Sequence, residues 1–386
     1  MNASDISFYF QPVENISFIE GALSNEISIH KENDFPELEI NSIALIYCPE
    51  FRGCEEISEK LFDDGFRYHF YSLFAGVNWT RKILDLGNLI IGKSLEDSQY
   101  AVAQVVSVLV KRDIIPIIIG GTQDLIYSIY RGYEDLEQSV NVVSIDSKID
   151  MGSIDSPIEK DGFLSQLLTQ LPCHLFNYSV IGLQFPYVKK SELELFDRLY
   201  FDYLRLGELN HDIKRAEPLL RNSDIVSLDL QSLKCTDFKG DYYHSPNGFY
   251  SEQLCQIAKY AGISDKLSSF SILNFIPGNL NLVSHALVAE LIWYFIDGVS
   301  ERIGDFPKCS KKDYTKFIVQ MNQFDHDVVF YKSNKSERWW MEVPYQGDNE
   351  NKYLRHHLVP CNYEDYLNAA ENEMPDLWWK TYQKLK

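Results

Sequence analysis

Three short segments carry residues that could do chemistry, and each follows an apolar run. They are Gly120-Gly121-Thr122-Gln123-Asp124, Asp146-Ser147-Lys148-Ile149-Asp150 and Asp229-Leu230-Gln231. Carboxylates gathered in a dry pocket need a cation among them, so the segments are candidates for a metal site or for a site that binds a cationic group. The alternatives are structural, since a glycine pair also makes an ordinary strand-to-helix turn and an aspartate often caps a helix.

The apolar runs that precede these segments predict strands buried on both faces, because several of them are continuously apolar instead of alternating. Helical stretches lie between them, including Asp97–Asp113 with Asp97 as the candidate cap and Ser284–Gly298 with Ser284 as the candidate start. This alternation over roughly 250 residues predicts a doubly wound, mostly parallel α/β sheet. Because ligands bind at the carboxyl ends of such strands, the three polar segments should meet at one edge. The predicted strands lie in SIALIYC, RKILDLG, IIPIIIG, NVVSID, NYSVIGL, DIVSLDL and SSFSILNF.

The order and spacing of these segments resemble the ureohydrolase family of arginase, agmatinase and formimidoylglutamase. That family carries Gly-Gly-Asp-His-Ser, Asp-Ala-His-x-Asp and Ser-x-Asp-x-Asp, where this chain has GGTQD, DSKID and SLDLQ. The likeness covers roughly residues 40 to 300, and the end of the chain, WWKTYQKLK, is similar to an arginase-like group from Bacteroidetes. The resemblance implies a three-layer α/β/α fold, hydrolysis of C–N bonds in linear amidines, and two manganese ions held by six side chains.

Position by position, the chain departs from the family's pattern. Asp146, Asp150 and Asp229 match family ligands, whereas Gln123 and Lys148 stand where the family has histidines, and Gln231 stands where it has an aspartate. The family's catalytic histidine has no counterpart in DMGSIDSPIEKDGF. Its substrate-side glutamate falls on Gln253, with Glu252 one place away.

This substitution pattern predicts that the manganese pair is lost. Without the histidines the site keeps oxygen donors, which suit at best a weak magnesium or calcium ion. A protonated lysine has no lone pair for a metal, but its charge can offset carboxylates. We therefore expect no resident cofactor, and we expect the Lys148 ammonium to lie within about 4 Å of Asp146, Asp150 or Asp229 in place of the metal.

The composition of the chain bears on its partners and on its cellular compartment. The 386 residues carry a net charge of −20, which argues against nucleic acid or an anionic membrane as the main partner. The seven cysteines are scattered without CxxC spacing, and the chain begins without a secretory leader pattern. These features predict a cytoplasmic protein with reduced thiols and no membrane span.

The sequence divides into an α/β domain over residues 1–300 and an aromatic-rich extension over residues 301–386. The extension is polar and aromatic, lacks the alternating pattern, and holds the pairs Trp339-Trp340 and Trp378-Trp379. We expect it to be irregular and to pack across the domain, with the tryptophans as staples. The alternative is that they dock a protein partner, and an oligomer is also compatible with the family resemblance.

Three functions remain open. The leading hypothesis is a non-catalytic family member that binds or assembles. The second is a hydrolase of formimidoylglutamate, agmatine or arginine with an altered site. The third is a sensor that binds a guanidinium or amino-acid ligand through Asp146, Asp150 and Asp229.

Overall fold

A ten-stranded sheet forms the centre of the protein, as seen in a computed structural model that describes residues 6–14, 19–54, 62–136, 138–153, 158–307, 311–321, 327–344 and 358–385. The strand order is β1-β4-β3-β5-β10-β9-β6-β7-β8, with β2 also pairing to β4. All of these pairings are parallel except that of β1 with β4. The strands are β1 (Phe10–Gln11), β2 (Ser28–Ile29), β3 (Ile43–Tyr47), β4 (Ile83–Leu89), β5 (Ile115–Ile119), β6 (Val140–Ile145), β7 (Leu175–Leu183), β8 (Asp202–Arg205), β9 (Ile225–Asp229) and β10 (Ser269–Leu273).

Helices cover both faces of this sheet and make a three-layer α/β/α fold. One apolar core lies between the sheet and α1, α8 and α9, and the other lies between the sheet and α2, α3 and α4. The helices are α1 (Phe66–Ser72), α2 (Leu95–Val110), α3 (Leu125–Arg131), α4 (Leu164–Thr169), α5 (Lys190–Arg198), α6 (Leu206–His211), α7 (Glu217–Arg221), α8 (Ser251–Ile263) and α9 (Leu282–Ser300).

The two long helices begin slightly earlier than the sequence predicted. Ser94 caps α2 and forms a reciprocal capping box with Asp97, which lies in the first turn instead of at the cap. Asn281 caps α9 by accepting a hydrogen bond from the Ser284 amide. Among the described residues, α9 is the one helix apolar and long enough to cross a membrane, but 61% of that window is buried inside the protein. It is therefore a core helix that packs on α8.

The chain after α9 forms a second, antiparallel sheet, so the prediction of an irregular extension was wrong. Its strands are β11 (Tyr314–Val319), β12 (Val328–Ser333), β13 (Trp339–Glu342) and β14 (Leu358–Cys361), paired in that order, and the helices α10 (Tyr363–Ala370) and α11 (Asp376–Leu385) follow. Trp339, Trp340 and Trp378 are buried in it, whereas Trp379 is 42% exposed. The tryptophans at 339, 340 and 378 thus build the core of this unit.

Polar contacts of Arg221 and Lys380 are among those that join the second sheet and its helices to the central domain. Arg221, at the end of α7, donates to the Cys361 carbonyl oxygen at 3.0 Å, and its guanidinium lies 4.5 Å from the Trp340 ring. Lys380 on α11 forms an ion pair with Asp202 at 3.1 Å. The second unit therefore contacts the central domain at β8 and α7.

Candidate active site at the sheet edge

The glycine pair after β5 makes a turn that other residues could not adopt without strain. Gly120 and Gly121 have φ values of +93° and +69°. A Cβ on Gly120 would lie 2.6 Å from the Tyr47 ring and 2.9 Å from the Cys48 carbonyl oxygen. The turn directs the chain back over the sheet and buries Gln123 completely.

Gln123 is held by residues of two other strands of the sheet, β10 and β6. Its backbone amide donates to Asn274 Oδ1 at 3.1 Å, just after β10, and its side-chain Nε2 donates to Ser144 Oγ at 3.1 Å on β6. The amide thereby occupies the sheet edge between β5 and β6. Gln123 Oε1 is buried and has no hydrogen-bond partner among the described residues.

The loop after β6 buries two carboxyl groups against each other. Asp146 and Asp150 are 2% and 7% exposed, and within the described residues Asp146 Oδ2 and Asp150 Oδ1 are buried without a hydrogen-bond partner. The two carboxyl groups lie close enough for the charge of one to act on the other. Burial raises the pKa of both, and for Asp150 the charge of Asp146 raises it further, well above the usual range.

Asp229 ends β9 and completes the cluster of carboxyls. It is 4% exposed, accepts the Gln231 amide at 2.7 Å and hydrogen-bonds to the Asn274 side chain. Burial first, and then the charge of Asp146, raises its pKa well above the usual range. Gln123, Asp146, Asp150 and Asp229 are therefore brought together at the carboxyl edge of one parallel sheet.

Lys148 lies in the same loop, but its ammonium does not take the place predicted from the sequence. Its backbone amide donates to Asp146 Oδ1 at 3.1 Å, while Nζ forms an ion pair with Asp161 Oδ1 at 2.9 Å. No ion pair joins Lys148 to Asp146, Asp150 or Asp229, all of which the structure describes. The expectation that Lys148 substitutes for a metal by direct pairing was wrong. Although burial opposes it, the bond to Asp161 raises the pKa of Lys148 above its usual value.

The remaining predicted residues lie further along the chain. Gln231 follows Asp229 in a short turn, and its carbonyl oxygen accepts a hydrogen bond from Ser245. Gln253 caps the start of α8 through the Tyr250 amide at 2.9 Å and donates to Asn210 at 3.0 Å. Glu252 beside it is exposed. The contacts of Gln253 thus tie α8 to α6, and none of them joins it to the carboxyl cluster.

Comparison with known proteins identifies the family to which this fold belongs. The model of the arginase family matches residues 52–296. This chain belongs to the arginase family. It is 28% identical over 138 residues to formimidoylglutamase from Lysinibacillus sphaericus (34% of this chain, 42% of that protein) and 28% identical over 161 residues to formimidoylglutamase from Fusobacterium nucleatum (37% and 46%). Each match therefore spans less than half of the curated relative.

Solved structures of the arginase family share the fold. Formimidoylglutamase from Bacillus subtilis superposes with a TM-score of 0.65 at 16% identity, covering 78% of this chain and all of that one. Formiminoglutamase from Trypanosoma cruzi, solved with Mn2+, gives a TM-score of 0.61 at 18% identity over 73% of this chain and 99% of that one. At these identities the likeness concerns the fold alone.

The side chains at the sheet edge do not fit the pair of manganese ions that the family resemblance implies. Within the described residues, no group of three or more histidine, cysteine or acidic side chains is placed to hold a metal ion. At the two positions where the family has histidines, the amide nitrogen of Gln123 is bonded to Ser144 and the ammonium of Lys148 is paired with Asp161. The donor set also lacks imidazole, which manganese sites of this kind use besides carboxylates.

One residue of the cluster, Asn274, escaped the sequence prediction. It accepts a hydrogen bond from the Gln123 amide and hydrogen-bonds to Asp229, so it links β5 to β9. Asp124, which belongs to the first of the three polar segments, is fully buried beside Thr122, and burial raises its pKa to about 7. The signal for Asn274 was present, because it lies at the end of the predicted strand SSFSILNF, at the same edge as the other segments.

Proposed function

We propose that the chain is a non-catalytic member of the arginase family whose sheet-edge site serves binding or assembly. The observation that carries this proposal is the arrangement at the two positions where the family has histidines: Gln123 Nε2 donates to Ser144 Oγ, and Lys148 Nζ pairs with Asp161. Neither nitrogen has a lone pair to offer a metal ion. A two-metal hydrolase generates hydroxide from bound water, and this chain lacks the side chains to hold such a centre.

The test is to measure bound metal and turnover on the same preparation. The full chain is loaded with manganese, dialysed and analysed for metal, then assayed with formimidoylglutamate, arginine and agmatine. We expect far less than one manganese ion per chain and no hydrolysis above a blank. About two ions per chain, as a functional centre of this class requires, would contradict the proposal. So would turnover that Asp146→Ala abolishes.

A gain-of-ligand variant provides the matched control for the metal assay. Restoring Gln123→His, Lys148→His and Gln231→Asp together returns the family's ligand types to three positions. The variant should retain more manganese than the unmodified chain after the same dialysis. If it retains no more, the missing ligands are not the reason for weak metal binding.

Hydrolysis of linear amidines is the second candidate function. It is favoured by the two curated relatives, both formimidoylglutamases, and by the three carboxyls kept at family positions. The turnover assay above decides between this function and the first.

A sensor of guanidinium or amino-acid ligands is the third candidate. Asp146, Asp150 and Asp229 would supply the anionic groups. A ligand-induced rise in melting temperature with arginine or agmatine, without turnover, would favour it. Loss of that rise in Asp229→Asn would assign the ligand to this site.

A further inference from the structure

A cleft opens at the amino edge of the central sheet, opposite the carboxyl cluster. It has a volume of about 660 Å³ and lies where β5, β9 and β10 begin, beside the end of α9. Ile114, Asp224 and Ser268, which directly precede those strands, line it. The family site does not use this edge, so the charged groups in the cleft need a separate explanation.

Arg302, just beyond α9, is fixed in this cleft by neutral groups and has no ion-pair partner among the described residues. Its Nε donates to the Gly262 carbonyl oxygen and its Nη2 to the Leu267 carbonyl oxygen, both at 2.9 Å. The carbonyl groups hold the guanidinium in place, and the nearest anion that acts on its charge, Asp265, does so from beyond ion-pair distance. Among the acidic side chains that the structure describes, none forms an ion pair with it. A partly buried cation in that state is costly unless an anion joins it.

Arg81 faces the same cleft from the start of β4 and is equally unpaired. Among the described residues, its one hydrogen bond is a 3.5 Å contact from Nη1 to the Asn41 carbonyl oxygen. It too has no ion pair within the described part of the chain. Burial first, and then the charge of Arg81, lowers the pKa of Arg302 to about 9. Two guanidinium groups therefore repel each other across one cleft.

Two pairs of charged groups in the cleft are already engaged: Asp224 pairs with Lys266 at 2.8 Å, and Lys111 pairs with Asp135 at 2.9 Å. Two further carboxylates act on the arginines from beyond ion-pair distance: Asp113 on Arg81, and Asp265 on both Arg81 and Arg302. Asp265 is held by the amides of Gly304 and Asp305 at 3.1 and 3.0 Å. The two arginines are thus the cations left to bind a ligand.

We propose that this cleft binds a small oxyanion, the phosphate or carboxylate group of a metabolite, through Arg81 and Arg302. The planar fork of a guanidinium matches both groups with two parallel hydrogen bonds. The cleft volume lies within the range of small-molecule sites. This site is independent of the function proposed above and does not require the carboxyl cluster to bind anything.

Thermal unfolding of the full chain in inorganic phosphate tests the proposal, with sodium chloride at matched ionic strength as the reference. Succinate in a parallel series distinguishes a carboxylate ligand from a phosphate. We expect one of the two anions to raise the melting temperature by about 2 °C in a concentration-dependent way. If neither anion raises it relative to chloride, the proposal is wrong.

Single substitutions test whether the anion-dependent rise in melting temperature comes from this cleft. Arg81→Gln should lose the anion-dependent rise while keeping the stability of the anion-free protein, because Arg81 makes a single long contact. Arg302→Gln should lose the rise as well. Arg215→Gln, which breaks the exposed pair with Glu208 away from the cleft, should keep it. An undiminished rise in Arg81→Gln would overturn the proposal, even if Arg302→Gln fails to fold.

Discussion

At the residue scale, removing one member of the carboxyl pair at the sheet edge should affect stability differently from removing one ligand of a bound metal ion. A ligand set loses its ion, whereas Asp146 and Asp150 repel each other unless they share a proton. An asparagine in place of one of them supplies a neutral donor of the same shape.

Asp146→Asn should therefore keep or raise stability at neutral pH, by up to about 1 kcal/mol in the free energy of unfolding. The side-chain amide that this change introduces can donate to Asp150 without a shared proton. Urea unfolding at neutral pH measures the change. Two results together would mean that Asp146 holds a metal: a clear fall in the stability of Asp146→Asn, and stabilisation by added manganese of the unmodified chain but not of the variant.

Lys148 and Lys266 offer a matched pair of lysines at the residue scale. The Lys148 pair with Asp161 leaves the two side chains 39% and 50% exposed, whereas the Lys266 pair with Asp224 leaves them 8% and 6% exposed. Exposed pairs contribute little, and a broken buried pair leaves an uncompensated charge.

Lys148→Met should lower the free energy of unfolding by less than about 1 kcal/mol. Lys266→Met should lower it by roughly 3 kcal/mol, because Asp224 stays buried. Urea unfolding of both variants under one condition makes the comparison. A larger loss from Lys148→Met than from Lys266→Met would restore the idea that Lys148 neutralises the carboxyl cluster.

At the scale of elements, α11 carries two lysines in opposite environments. Lys380 is paired with Asp202, and although burial opposes it, this carboxylate raises its pKa. Burial first, and then the charge of Lys380, lowers the pKa of Lys384 to about 8, although Asp202 acts in the other direction. The ammonium of Lys384 donates to Asn177 Oδ1.

The stability of the protein should therefore rise between about pH 8 and pH 10.5 through Lys384. In this window the unfolded chain keeps the proton that the folded chain has lost, so raising the pH favours the folded state. Relative to Lys384→Gln, the unmodified chain should gain about 1 kcal/mol over this window, a value reduced for partial exposure. Urea unfolding across the window measures it, and a constant difference between the two proteins would contradict the prediction. Lys380→Gln, which breaks an ion pair, should show no such gain.

The elements that the sequence predicted correctly are those whose burial is uniform. Every strand predicted from an apolar run is present, because β3, β5, β6, β9 and β10 are buried along their whole length and leave an unmistakable pattern. The second sheet was missed because β13 and β14 are only four residues long and β11 mixes half-buried and exposed residues in an aromatic, charged segment. Short antiparallel strands of this kind resemble loops in sequence.

The site was predictable in position but not in detail. Parallel strands end at one edge whatever their side chains are, so Gln123, Asp146, Asp150 and Asp229 had to approach one another. The direction of a long, flexible side chain does not follow from its place in the sequence. Lys148 had Asp161 available in the following segment, and its ammonium turned to that partly solvated partner.

At the scale of the whole molecule, the extension depends on its buried tryptophans. Trp340 is fully buried beneath the Arg221 guanidinium, where the second sheet meets the central domain, whereas Trp379 is 42% exposed. The first tryptophan thus stabilises the junction of the two units, and the second lies at the surface.

Trp340→Ala should lower the free energy of unfolding by about 3 to 5 kcal/mol, the usual cost of truncating a buried tryptophan. Trp379→Ala serves as the control and should cost less than about 1 kcal/mol. Urea unfolding followed by circular dichroism measures both. Equal effects of the two substitutions would mean that the junction does not depend on Trp340.

The strand order also determines when the molecule can form during synthesis. β10 lies between β5 and β9, so the centre of the sheet is filled by its last strand in the chain. Before the ribosome has released Leu273, β5 and β9 expose long apolar edges with no strand between them. The nascent chain therefore exposes both edges from the synthesis of β9 until β10 emerges and enters the sheet between them.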